Sequence, residues 1–511
     1  MRTLLINPPY PFQEFPIIPV GLLYLAGILE HRGYEVDVLD LLVSKYSKDK
    51  IKRKLKEYEP DIVGVTCVTM NYPGASEILK YCKSVNPEIK TIIGGPHVTF
   101  AAEETLDEAP WIDIVVRGEG EYTLLDIASG KKEADINGIA YRSDGHVMLT
   151  APRELIEDLD SLPTPARHLF PISRYQALAS HGSIIAGRGC PFNCIFCVGS
   201  KMGGRRARFR NPKLVVDEIE QCLELGFKEI NLDDDLFTLN HKHLHAFCDE
   251  IINRGLKFNW SIFARVDTVN PEILQKLRKA GCTWISYGVE SGNQEILDTV
   301  KKKITLNMVR KSVKMAKDAG IDVLLSFILG LPGETKDTMQ ETVNFAREIG
   351  THYGFHVLAP FPGTEVREKA DEYGLEILTS DWSKYDANRP VTQTKGASTR
   401  DIIEVLHLYY KGIRLTGELP ASELTEEQLR QIEIDRANRP RPLAWALVSG
   451  DVIETIGGVP YNNDPMEDLT DRIADLIPYS RQQISGNLKS WYDEGLLTYD
   501  VIDNQIFWRW R

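Results

Sequence analysis

This chain of 511 residues lacks several things, and each lack removes a class of protein. No run approaches the ~18 consecutive apolar residues that a membrane span needs. The start, "MRTLLINPPYPF", has no apolar stretch followed by a small-residue cleavage site, so no secretory leader is expected. There is no low-complexity tract, and 43% hydrophobic with 26% charged residues is the composition of folded domains. Positive charge is in deficit. A formal charge of -13 argues against a polyanionic partner, so no nucleic acid is expected. Cysteine is sparse too: of eight, Cys67, Cys82, Cys222, Cys248 and Cys282 stand singly in apolar or helical segments. That is no disulfide framework, and a cytoplasmic protein with free thiols is expected.

The other three cysteines, Cys190, Cys194 and Cys197, crowd into "GRGCPFNCIFC". One disulfide would leave a reactive thiol over, whereas a metal or cluster needs several soft thiolates on one loop. Zinc is the alternative, with His181 upstream as a fourth ligand. Structural zinc, however, is commonly closed by ligands spaced in two pairs.

The length calls for about three domains. Over 1–145, "TLLIN", "EVDVLD", "DIVGVTCV", "KTIIGG" and "IDIVVRG" read as strands alternating with helices such as "GLLYLAGILEHRG". This predicts a Rossmann-like, doubly wound α/β domain that binds ligands beyond the carboxyl ends of its strands. Residues 146–180 form a proline-punctuated linker. Over 181–375 the alternation resumes in six units, "SIIAG" to "FHVLAPF", which predicts a partial (βα)6 TIM-type barrel with its functional residues at the strands' carboxyl ends. Residues 376–420 connect to a mostly helical, winged-helix-like domain over 421–511. Its helices are "LTEEQLRQIE", "DPMEDLTDRIADLI" and "SRQQISGNLKSWYDEGLL", and its closing hairpin turns at Asp503-Asn504.

Cys190-x-x-x-Cys194-x-x-Cys197, directly after the first barrel strand, resembles the signature of the radical S-adenosylmethionine enzymes. The resemblance implies a four-iron, four-sulfur cluster on these thiolates, with its fourth iron open to S-adenosylmethionine. It also implies an electron donor such as flavodoxin or ferredoxin, and anaerobic conditions. Carried over residue by residue, it sets Phe196 beside adenine and an aspartate of "NLDDDLFT", Asp234, at the methionyl amino group. Arg265 would take the methionyl carboxylate, Glu290 the ribose or amino group, and Ser326 and Gly330 the adenine and ribose. Which of Asp233, Asp234 and Asp235 touches the ligand stays open.

The first domain resembles a cobalamin-binding domain. Gly21 opens the first helix, Thr66-Cys67-Val68 resembles the family's Ser-x-Leu, and Gly94-Gly95 matches its Gly-Gly. The strand-end loops add Asn7, Pro8, Thr69, Met70, His97, Gly118, Glu119 and Gly120 as cobalamin contacts. Pro16 and Ile18 stand where the family has Asp and His, so base-off cobalamin without a histidine ligand is implied. Thr69, Met70 and Asn71 are then the candidates for its lower face.

Together the two domains identify the chain, over roughly 1–375, as similar to the cobalamin-dependent radical S-adenosylmethionine enzymes, class B methylase-like. The resemblance implies a C-methyltransferase: a 5′-deoxyadenosyl radical activates an unactivated carbon and methylcobalamin supplies the methyl group. The acceptor would be a small molecule or a peptide or protein side chain, for example in methyl-coenzyme M reductase. An oxidative cyclase or rearrangement enzyme of the same family is the alternative, and a cluster-bearing nucleic-acid sensor is the third reading. The tail is expected to dock a peptide or protein substrate through Phe507, Trp508 and Trp510, unless these merely pack the hairpin on its helices. "KMGGRRARFR" reads either as an anion-holding lid or as a solvated turn. His241, His243 and His245 do not share a helical face and read as a surface helix start.

Overall fold

The computed structural model describes residues 1–11, 16–409, 441–460 and 464–511. The first sheet has seven strands: β1 (Thr3–Asn7), β2 (Val36–Asp40), β3 (Ile62–Thr66), β4 (Lys90–Gly94), β5 (Ile114–Val116), β6 (Ile139–Ser143) and β7 (His146–Leu149). Their order is β2-β1-β3-β4-β5-β6-β7; the first five are parallel and the last two antiparallel. Side chains alternate between the faces of a strand, and both faces of this sheet are covered. Leu5, Ile62, Ile92 and Ile114 therefore enter one core, while Leu4, Ile6, Val63, Val65, Ile93 and Val115 enter another. That is why these strands read as unbroken apolar runs. The β6–β7 hairpin crosses residue 145, so the first domain continues to Leu149 and the linker begins after it.

The second sheet is wholly parallel: β8 (Gly182–Ile184), β9 (Glu229–Leu232), β10 (Asn259–Ala264), β11 (Cys282–Glu290), β12 (Asp322–Leu329) and β13 (His352–Val357). Its strands follow chain order, with β8 and β13 at the edges, as six βα units of a partial barrel require. The intervening helices start where the sequence supplies a cap. Asn211, Asn240, Asn270, Thr305 and Thr335 each accept a backbone N–H two or three residues on, and Pro212 and Pro271 occupy first-turn positions. Each such cap is worth about 1 kcal/mol.

The connecting segment returns to the first domain. Trp382, Tyr385 and Val391 enter the core that holds Val65 and Tyr72. The helix expected in "LTEEQLRQIE" lies outside the described residues. Beyond it come helices Arg441–Ser449, Pro465–Ala474 and Arg481–Asp493 and a small antiparallel sheet of β14 (Val459–Pro460), β15 (Leu497–Ile502) and β16 (Gln505–Trp510). Asp503 (φ 50°) and Asn504 (φ 60°) make the left-handed turn that joins β15 to β16.

Of the two readings of the aromatic edge, packing of the hairpin holds for Trp508 and Trp510, and Phe507 is half-buried. Trp508 and Trp510 are buried: Trp510 packs on Trp491 at 5.2 Å and Trp508 on Tyr499 at 5.0 Å. They are the core of the module, since a small domain has few other large apolar groups to bury. The module sits at the amino ends of the barrel strands. Lys228, just ahead of β9, pairs with Glu494, and the Ser173 hydroxyl donates to the Arg511 carbonyl. Arg174 bonds the Val43 and Val448 carbonyls and the carboxylates of Asp451 and Glu454. The first domain, the linker and the tail thus meet at one buried guanidinium.

Candidate active site

The cysteine loop leaves the carboxyl end of β8 through Gly189, whose φ is 98°. A Cβ there would lie 2.6 Å from the Arg206 carbonyl and 2.7 Å from that of Gly203, so the close return of the chain demands glycine. Cys190 and Cys194 are half-buried, Cys197 is exposed, and none is in a disulfide. Loss of water pushes all three thiols up, Cys197 to about 11, and Cys194 adds to the rise at both Cys190 and Cys197. Opposing this, Lys302 and Arg265 stand beside Cys194.

A cluster fits these residues. N–H donors already face sulfur, Gly199 to Cys197 at 3.3 Å and the Arg265 guanidinium towards Cys194 at 4.0 Å, as an anionic iron–sulfur group requires. Zinc fits poorly. Its expected fourth ligand, His181, pairs instead with Glu229 at the far end of the sheet.

The other carboxyl ends bring charge to the same face. Glu290 ends β11 with φ 75°, a conformation rarely adopted by a residue with a side chain and one that marks functional sites. Its Oε1 accepts from Lys302 Nζ at 2.6 Å, and both groups are buried. Gly288 makes room, since a Cβ there would stand 2.7 Å from that oxygen. Arg265 is buried too, but its fork is engaged: Asp267 takes Nε and Nη2 at 2.9 Å each and the Lys302 carbonyl takes Nη2 at 2.8 Å. Nη1 remains, on the side of Cys194, while the guanidinium stacks on Phe192 at 3.6 Å.

Ser326 is half-buried on β12. Gly330, at φ 84°, donates its N–H to Glu334, whose carboxyl burial pushes up to about 8. Phe196 packs beside Ile195, Ile296 and Leu331. The acidic triplet divides. Asp234 is buried, with Oδ1 accepting the Ala186 N–H at 2.6 Å and its carboxyl raised to about 8 by burial. Asp233 and Asp235 instead line open space, and Asp235 accepts the Gly189 N–H at 2.7 Å.

That open space is a cavity of about 360 Å³ between the two sheets. Leu5, Val65, Ile92 and Val116 form its floor, and Leu22, Leu25 and Leu124 form its side, all from the first domain. Of the expected cobalamin contacts, Gly21, Thr66, Gly94, Gly95, Gly118, Glu119 and Gly120 line it. Gly187, Arg188, Met202, Gly203, Asp233 and Asp235 close it from the barrel side.

The cavity suits a large ligand with an apolar tail. At Gly21 and Gly118 a Cβ would meet nothing within 4 Å, so these positions open directly onto the space. At Gly95 (φ 112°) a Cβ would strike the Cys67 carbonyl at 2.2 Å. The remaining expected contacts stand outside the lining. Asn7 donates to Asp40 at 2.9 Å, Pro8 is buried, and Ile18 packs into the core with Leu22. His97 is buried against Tyr72 and Trp382, its Nδ1 is 3.3 Å from the Thr69 hydroxyl, and burial lowers its pKa to about 4. Met70 is half-buried and Asn71 accepts the Val68 N–H. Among the described residues no histidine lines the cavity.

The basic run divides. Arg208 and Arg210 are buried, paired with Glu119 and Glu218, and are internal struts, which corrects both readings for them; exposed Lys201 and Arg206 pair with Glu368 and Glu157, as the solvated-turn reading expects. His243 is also buried, with Nε2 against the Arg210 carbonyl at 2.7 Å, and only His241 has the surface position expected for all three. Sequence reasoning missed Lys302, Arg188 and Glu121. A buried lysine inside "VKKKI" looks like any solvated lysine, and the partners of the other two lie in another domain.

Two family models match the chain: the B12 binding domain over residues 14–128 and the radical SAM superfamily over residues 184–346. An uncharacterized methyltransferase of Pyrococcus horikoshii is 34% identical over 438 residues, 83% of this chain and 95% of that protein. The anaerobic magnesium-protoporphyrin IX monomethyl ester cyclase of Rubrivivax gelatinosus is 34% identical over 433 residues, 80% of this chain and 77% of that one. In fold, the chain resembles the radical S-adenosylmethionine methyltransferase TsrM of Kitasatospora setae, solved with tryptophan and a S-adenosylmethionine analogue. That likeness has a TM-score of 0.67 at 20% identity and covers 87% of this chain and 94% of that one. It also resembles the cobalamin-dependent enzyme OxsB, at 0.62 and 17%, over 96% of this chain and 72% of that one.

Proposed function

The chain belongs to the cobalamin-dependent radical S-adenosylmethionine enzymes, and from that premise we propose that it is a C-methyltransferase acting on an unactivated carbon. One observation carries the reading. Gly187 and Arg188, just ahead of the clustered cysteines, and Met202 and Gly203, just after them, line the same cavity as the glycine-rich end of the first sheet, so a group held by the first domain would lie beside the stem of the cysteine loop. Bound there, the cluster would supply the electron that cleaves S-adenosylmethionine, and cobalamin would carry the methyl group.

This chain's residues do the placing. Cys190, Cys194 and Cys197 would hold the cluster, while Gly21, Gly94, Gly95 and Gly118 let backbone approach a corrin ring and its side chains. Glu290, oriented by Lys302, offers its carboxyl oxygens to a ribose or an ammonium group. We assign the methionyl amino group to Asp233 or Asp235, which line open space, rather than to the enclosed Asp234. Arg265 presents Nη1 beside Cys194, and Ser326 and Gly330 extend the site along β12. Cobalamin would be held base-off, a reading supported by the lack of histidine among the described residues that line the cavity.

On the barrel's inner face Phe263 is 52% exposed, in line with Ser261 on β10. It offers an apolar surface to an aliphatic acceptor, whether a small molecule or a side chain of a peptide or protein such as methyl-coenzyme M reductase. A one-electron donor, a flavodoxin or ferredoxin, completes the system.

The equal similarity to the magnesium-protoporphyrin cyclase favours a second reading, oxidative cyclisation without net methylation. Anaerobic incubation of the reduced enzyme with cell extract and methyl-deuterated S-adenosylmethionine separates them. Methylation places label in a product, and the protein or small-molecule fraction that carries it identifies the acceptor class. Formation of 5′-deoxyadenosine and altered acceptor without transferred label would sink the methyltransferase reading.

A further inference from the structure

Glu119 lies between Gly118 and Gly120 at the cavity, yet its carboxylate turns across the domain boundary. Oε1 accepts from Arg188 Nη1 at 3.1 Å and Arg208 Nη2 at 2.9 Å, and Oε2 accepts from Arg208 Nη1 at 3.0 Å and the Ile156 N–H at 2.7 Å. Glu121 takes Arg188 Nη2 at 2.6 Å. Two carboxylates of the first domain thus face two guanidiniums of the second. All four are nearly out of water: side-chain exposure is 8% for Glu119, 5% for Glu121, 15% for Arg188 and 2% for Arg208.

These arginines have a particular place. Arg188 and Arg208 are partners across the short antiparallel pair Gly187–Arg188 and Arg208–Phe209. That pair is the root of the loop that carries all three clustered cysteines. From Arg208 the contacts continue inward, with Nη2 donating to the Gly203 carbonyl at 2.8 Å. The next carbonyl, of Gly204, accepts the Cys190 N–H at 3.0 Å.

We propose that Glu119 is a positioning residue: through the forks of Arg208 and Arg188 it fixes the cysteine loop relative to the ligand cavity of the first domain. The proposal rests on the reading of the three cysteines as cluster ligands and of the cavity as the cobalamin site. A buried ion pair adds little net stability, because desolvation offsets its attraction. Its use lies in geometry. A bidentate guanidinium–carboxylate pair accepts one orientation, so it defines the separation of the parts it joins. The reaction needs that definition, since one substrate carbon must be served from both sides.

Glu119→Gln keeps the shape and removes the charge; Arg208→Lys keeps the charge and removes the fork. In the full-length, cofactor-free chain, amides of residues 189–204 should exchange about tenfold faster in both variants, with the sheet cores unchanged. In reconstituted Arg208→Lys protein, whose altered side chain lies outside the cavity lining, iron and cobalamin contents should match wild type. The distance distribution between reduced cluster and cob(II)alamin, from pulsed electron paramagnetic resonance, should broaden. Unchanged exchange and an unchanged distribution in both variants would overturn the proposal. So would faster exchange spread over the whole chain, which would assign the pair to general stability. Wild-type protein that takes up neither iron nor cobalamin would defeat the functional reading instead, and the exchange measurement would still decide what Glu119 holds.

Discussion

The two ends of the barrel sheet are built on different terms. At the carboxyl ends of β8–β13 stand free thiols, a glutamate at φ 75°, a buried lysine that answers it and carboxyls pushed up to about 8. At the amino ends the C-terminal module and the linker close over the strands, and the charge there is neutralised locally, as when Arg174 meets Asp451 and Glu454. Both ends bury ion pairs, so burial alone does not mark function. The difference lies in the groups presented. The carboxyl end holds three clustered thiols and a buried glutamate–lysine pair beside them, whereas the amino end is where the C-terminal module packs. The division matches a barrel's usual assignment of chemistry to one face and stability to the other.

The largest effect should come from removing the thiols. With Cys190, Cys194 and Cys197 all changed to Ala, anaerobically reconstituted protein should bind no iron and form no 5′-deoxyadenosine, while its circular dichroism stays that of the wild type. A full cluster in that variant would move the chemistry elsewhere.

Breaking one buried ion pair at each end tests the comparison directly. Lys302→Met strands Glu290, and Arg174→Met strands Asp451 and Glu454; each should lower unfolding free energy by about 3 kcal/mol in urea titrations. Only Lys302→Met should also weaken S-adenosylmethionine binding by calorimetry, by about tenfold or more, because only there does the stranded carboxylate face the site. Equal loss of binding in both would erase the distinction between the ends.

The Arg174→Met variant should further loosen the tail. Limited proteolysis within residues 441–511 should accelerate several-fold, since Arg174 is the point where tail, linker and first domain share bonds. An unchanged digestion pattern would mean that the aromatic packing holds the module by itself.

The smallest effect concerns Glu334. Its folded pKa, near 8, lies above the unfolded value, so the protonated carboxyl favours the fold fully below about pH 4.5. That contribution fades as pH rises through 8. Glu334→Gln, still able to accept the Gly330 and Leu331 N–H bonds, should therefore gain stability relative to wild type between pH 5 and pH 9. A constant difference across that range would show that the carboxyl is ionised throughout.

Much of this was legible in the sequence. Strand–helix alternation marked both parallel sheets because fully covered strands need continuous apolar runs, and asparagine or threonine caps punctuated the helices. The turn at Asp503-Asn504 and the cysteine spacing were equally local. Legibility failed where a partner is distant. Trp508 and Trp510 looked like interface anchors because nothing near them announces Trp491 or Tyr499. The β6–β7 hairpin was hidden in the linker, since exposed β7 lacks the apolar run that gave the other strands away.

By itself, then, the sequence determined which residues could make a cluster loop, where glycine must admit a close approach, and that two α/β units adjoin. These follow from spacing and backbone sterics, which act over a few residues. Only the tertiary structure decided that Asp234 is enclosed while Asp233 and Asp235 face the cavity, since the pleat and the β8 loop set which way each carboxylate turns. It also decided that Arg208 is a strut rather than a lid and that Glu119 holds it. A side chain's role depends on the charge it meets after burial, and here that charge lies 89 positions away along the chain.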